Sequence, residues 1–104
     1  MIRGRFLAGS PAAAKVSVLP RVSEFFGISI HVYYDDHPPP HFHAVYSGEE
    51  AVIHIGDLRV LRGGLPPRVF GLVLEWAFQH RPELEEAWLQ AERLEPLSRI
   101  PPLE

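Results

Sequence analysis

The chain has 104 residues, 46% of them hydrophobic, a formal charge of −3 and no cysteine. That length suits one domain with a real core, and without cysteine any metal would have to use His and carboxylate ligands. The acidic balance argues against a binder that works by bulk attraction to nucleic acid, and no apolar run approaches the roughly 18–20 residues of a membrane span.

Residues 1–19 show no clear periodicity and contain the small-residue run "AGSPAAAK". They are expected to form a flexible N-terminal extension ahead of a single α+β domain over residues 20–104. The opening is basic but lacks the roughly 7–15 apolar residues of a secretory signal, which predicts a cytoplasmic protein.

From Pro20 onward the pattern becomes organised. In "SEFFGISIHVYY", Ile28, Ile30, Val32 and Tyr34 alternate with Ser29, His31 and Tyr33, the period of two expected of a half-buried strand. "HFHAVYS" and "EAVIHI" alternate in the same way, and "LRVLR" at 58–62 offers a short fourth strand. The period then lengthens. Val69, Leu72, Val73 and Trp76, and later Leu84, Ala87, Trp88 and Ala91, recur at three and four, as amphipathic helices require. Prolines at 66, 67 and 82 suit first helical turns, where a missing N–H costs nothing. The expected fold class is therefore α+β: a small antiparallel β-meander of three to four strands with two C-terminal helices packed on one face.

If the apolar sets of the first three strands all face the helices, their alternates share the other side. That side would hold His31, Tyr33, His41, His43, Val45, Val52 and His54. A tight turn at Ser47-Gly48 pairs His41 with His54. Pairing Tyr34 with Phe42 and Val32 with Ala44 places Asp35 beside His41 and Tyr33 beside His43. Directly opposed Cβ atoms lie about 4.5–5.5 Å apart, so His41, His43 and His54 with Asp35 form a candidate ligand set for a divalent metal ion. The three prolines of "DDHPPP" fix φ near −65° and stiffen the loop that delivers His41. Taken alone, a His-x-His on a strand is usually a half-polar surface filler; the cross-strand His54 and nearby Asp35 are what point to chemistry. His80, at the end of the first helix, is read as capping carbonyls there.

The segments "PRVSEFFGISI", "YYDDHPPPHFHA", "AVIHI", "LPPRVFGLVLEWA" and "ELEEAW" give residues 20–104 a resemblance to the bacterial domain-of-unknown-function family numbered 4160. The family has no established biochemical activity. Its genes often neighbour those of another small uncharacterised domain, which implies one member of a toxin–antitoxin-like pair.

Two readings follow. One is a protein-interaction module that docks a small partner protein encoded nearby through the His/Tyr/Asp-rich sheet face. The alternative is a metal-dependent hydrolase or His-based ribonuclease with its site at His41, His43, His54 and Asp35. No Ser nucleophile in a recognisable turn, Gly-rich phosphate loop or nucleotide fingerprint supports another catalytic class.

Overall fold

Positive φ at successive residues turns the chain twice: Phe26 and Gly27 at 50° and 78°, Ser47 and Gly48 at 51° and 83°. Two-residue type I′ hairpin turns demand this pattern, because their twist matches that of the strands they join. The computed structural model describes residues 20–104, so the expected extension over 1–19 lies outside the described residues.

Five strands follow one another, β1 (Arg21–Phe25), β2 (Ile28–His31), β3 (His41–Tyr46), β4 (Glu49–His54) and β5 (Val60–Gly63). They form one antiparallel sheet in chain order. The expected three to four strands are corrected to five. The additional strand is β1, whose ladder is irregular between Arg21 and Ser23. There the adjacent residues Val22 and Ser23 are both buried, which erases the alternation that would mark a strand.

Helices α1 (Pro67–Gln79) and α2 (Arg81–Glu92) each carry a proline in the first turn. They bury Val69, Val73, Trp76 and Ala77, and Leu84, Ala87, Trp88 and Ala91, against a sheet face that includes Ile28, Ile30, Phe42 and Ile53. Trp76 is the largest fully buried side chain, with ring centroids 5.4 Å from Phe25 and 6.1 Å from Phe42. Its indole N–H donates to Pro101 O at 2.8 Å. The last residues run back along β1, where Ile100 N–H donates to Val22 O at 2.8 Å and buries Ile100 and Leu103. One sheet edge is thereby covered. At His80 it is the backbone N–H that caps α1, bonding to the carbonyls of Trp76 and Ala77, while the imidazole Nδ1 lies 3.2 Å from Glu83 Oε2 of α2.

The β3–β4 pairing matches the expected register, with His41 opposite His54 and Ala44 opposite Ala51. The β2–β3 pairing differs: Ala44 faces Ile30 and His43 faces His31. The expected partners stood two residues further along, at Val32 and Tyr33. A slip of two keeps every side chain on its expected face but lengthens the connection, and residues 32–40 are freed to fold as a loop. No helix among the described residues is long and apolar enough to cross a membrane.

Candidate metal centre

The connection between β2 and β3 carries the "DDHPPP" sequence. Asp35 takes the left-handed conformation, φ 55°, which aspartate tolerates better than most residues. Asp36 follows, and its Oδ1 accepts a hydrogen bond from the His37 backbone N–H at 2.8 Å. Its Oδ2 lies 2.9 Å from His41 Nε2 and 3.6 Å from His43 Nε2. His41 and His43 are only 4% and 6% exposed, so both are buried, contrary to the open sheet face expected of them. Trp88 of α2 lies against His41 at 5.1 Å between centroids, and Tyr33 packs edge-on to His43 at 4.5 Å.

The far side of each imidazole is tied down. His41 Nδ1 sits 2.7 Å from Pro39 O, and His43 Nδ1 sits 2.7 Å from Glu50 Oε2. Both partners only accept, so each Nδ1 carries a hydrogen and each Nε2 is the nitrogen left to face Asp36. Metal-ligating histidines are held in this way, one nitrogen donating to a carbonyl or carboxylate and the other presented to the ion.

One ligand atom from each of Asp36, His41 and His43 lies within 4.8 Å of the others. Ligands about 2.0–2.1 Å from one ion stand about 3 Å apart at right angles and about 3.4 Å apart at the tetrahedral angle. The separations of 2.9 and 3.6 Å bracket those values. His43 Nε2 is buried with no hydrogen-bond partner among the described residues, a cost that native structures rarely carry without a reason. His41 Nε2 meets the same Asp36 oxygen at 2.9 Å. A single cation among the three atoms would satisfy all of them. Partial burial alone would raise the Asp36 carboxyl, but the His37 backbone N–H and the His41 ring outweigh it and hold the group below the ordinary carboxylate range.

Of the four residues expected as ligands, the structure brings His41 and His43 together and leaves two apart. Asp35 is exposed in the turn, and the next residue, Asp36, supplies the carboxylate because the loop approaches the sheet from a register two residues away from the expected one. His54 lies opposite His41 in the ladder, but its Nδ1 is 2.9 Å from Asp57 Oδ1. It lines a separate cleft of about 280 Å³ with Pro40, Ile55, Gly56, Glu85, Trp88 and Leu89. Sequence reasoning missed Asp36 and Glu50. The paired aspartates of "YYDD" signalled the first without saying which one turns inward, and Glu50, opposite Val45 and diagonal to His43, was legible from the Ser47-Gly48 turn.

A family model described as "Domain of unknown function (DUF4160)" matches residues 27–89. The chain belongs to this family. The matched span holds Asp36, His41, His43, Glu50 and Trp88, so the whole candidate centre lies within the DUF4160 region. No curated protein and no solved structure matches the chain.

Proposed function

We propose that this DUF4160 domain binds one divalent transition-metal ion through Asp36, His41 and His43, and that it acts as a metal-dependent hydrolase. The observation that carries this reading is the buried, unpartnered Nε2 of His43, aimed at the same carboxylate oxygen that His41 meets. Two histidines and one carboxylate leave coordination positions open, as catalytic rather than structural sites do. A bound ion of this kind acidifies a coordinated water and polarises an ester or phosphoryl oxygen. The chain's own residues position that chemistry. Pro39 O and Glu50 orient the two rings, the indole of Trp88 walls one side, and the short proline loop holds Asp36 over the sheet.

Untagged protein purified from cells supplemented with Zn, Mn, Ni and Fe should carry about one equivalent of metal. The H41A/H43A variant should carry none, and H54A should retain it. Absence of bound metal from the parent protein would overturn the reading.

A second reading has one observation in its favour. Tyr33, just past β2, is 38% exposed and stacks on His31 with ring planes 6° apart. Docking of a small partner protein there, as in a toxin–antitoxin-like pair, would use this aromatic platform. Co-expression with the product of a neighbouring gene tests it: a Y33A variant should lose a complex that the parent retains.

A further inference from the structure

A cross-strand row runs over all five strands on the sheet face that carries His43. Arg21 faces His31, His31 faces His43, His43 faces Val52, and Val52 faces Arg62. Two strand spacings of about 4.7–4.9 Å separate His43 from Arg62, a span that a long arginine side chain largely covers. Beside Arg62 opens a cleft of about 270 Å³ bounded by His37, Pro38, Pro39, His41, Val52, Leu61 and Arg62, which meets the candidate centre at His41 alone. One wall of this cleft is His41, itself part of the candidate centre, and the opposite wall is the edge strand β5.

The charges around the cleft are not symmetrical. Arg21 is paired with Glu24 at 2.6 Å and Arg59 with Asp57 at 2.7 Å. Among the described residues Arg62 makes no ion pair. No carboxylate lines the cleft, and its polar side chains are those of Arg62, His37 and His41. The backbone beneath Arg62 is fixed. Gly63, at φ 74°, packs so closely on Glu50 O that a Cβ there would collide with it, and Gly64 N–H donates to the same oxygen at 3.0 Å. Glu50 also orients His43, so the anchoring of the arginine strand and of the ligand ring share one residue.

We infer that this cleft is an oxyanion subsite, in which Arg62 holds the phosphate group of a small phosphate ester while the ester oxygen reaches the ion at Asp36, His41 and His43. The inference rests on the metal reading and names the substrate class of the same site. A guanidinium matches a tetrahedral phosphate with two parallel N–H donors. The cleft is smaller than the roughly 300–1,000 Å³ typical of drug-sized ligands, which suits a terminal phosphate on a small molecule. The net charge of −3 works against long polyanions.

The test uses the full chain loaded with Co²⁺, whose visible absorption reports its ligands, titrated with inorganic phosphate. Phosphate should perturb the cobalt spectrum of the parent. R62Q should bind cobalt with unchanged stoichiometry and phosphate at least about tenfold more weakly, as loss of a charge-assisted hydrogen bond implies. R62K should fall between them, because it keeps the charge and loses the fork. Equal phosphate affinity in R62Q and parent, or no phosphate binding to cobalt-loaded parent, would overturn the subsite and leave the metal reading standing. Failure of the parent to take up cobalt would overturn both. A short single-stranded oligonucleotide binding more tightly than phosphate, with the same Arg62 dependence, would overturn the small-ester assignment.

Discussion

His43 Nε2 stands 3.6 Å from Asp36 Oδ2, beyond hydrogen-bonding distance, while the Nδ1 of the same ring is held at 2.7 Å by Glu50. The ring is aimed by one carboxylate at another that it does not quite reach. A separation of 3.6 Å is compatible with both atoms standing about 2.0–2.1 Å from one ion, as proposed.

The two neighbouring aspartates should therefore behave differently. D36N removes a proposed ligand and should weaken Zn²⁺ or Co²⁺ binding by about 100-fold or more, whereas D35N, in the exposed turn, should change it little. Competition against a chelator of known affinity measures both. Equal losses in the two variants would exclude Asp36 as the ligand.

In the proposed centre Glu50 acts through His43, whose Nδ1 it holds at 2.7 Å, rather than on the ion. E50Q should weaken metal binding by roughly 10–100-fold, the usual effect of losing an outer-shell partner, while thermal stability without metal changes far less. A metal affinity unchanged in E50Q would contradict the role assigned to the pair.

Gly63 should tolerate no side chain. At φ 74°, with Glu50 O in the way of a Cβ, G63A combines left-handed strain of about 1–2 kcal/mol with a backbone collision, so a loss of about 2 kcal/mol or more is expected in urea denaturation. Because Glu50 would shift, the same variant should also bind metal more weakly. A stable G63A with full metal affinity would break the link between β5 and the centre.

Trp76 joins the sheet, α1 and the C-terminal tail. W76A should cost about 3–5 kcal/mol. W76F keeps most of the packing but leaves Pro101 O without its donor, so amide exchange should speed at Ile100, whose N–H covers β1, more than at Phe42 in the central strand.

Acid sensitivity has a defined contributor at Asp57. The Arg59 backbone N–H, and then the Arg59 guanidinium, hold its carboxyl below the ordinary 3.8 against a smaller opposing effect of desolvation. The folded state therefore keeps Asp57 ionised to lower pH than the unfolded chain does. The stability this gives is present above 3.8 and is lost as pH falls through the lowered folded value. NMR titration should place Asp57 below 3.8, and R59Q should move it part of the way back, the backbone N–H remaining. A midpoint at or above 3.8 in the parent would contradict this.

Alternation of apolar residues in "HFHAVYS" and "EAVIHI" was enough to assign β3 and β4, and the Ser47-Gly48 turn fixed their register, because a two-residue loop allows only one pairing. Helical spacing and first-turn prolines placed both helices. β1 escaped because its irregular ladder buries Val22 and Ser23 side by side. The expected β2–β3 register differs from the observed one because a loop of prolines and aspartates does not count out its own pairing, and matching a β-branched residue with a small one suits Val32 opposite Ala44 as well as the observed Ile30 opposite Ala44.

By itself, then, the sequence determined an α+β chain whose histidines at 41, 43 and 54 share one side of neighbouring strands, since a period of two survives any slip of two residues. Which carboxylate completes the set was decided only in three dimensions. The loop's path over the sheet turns Asp36 inward and Asp35 outward, and Asp57 draws His54 aside. Adjacent residues of the same type carry no local signal to separate them, so the choice belongs to backbone geometry and packing.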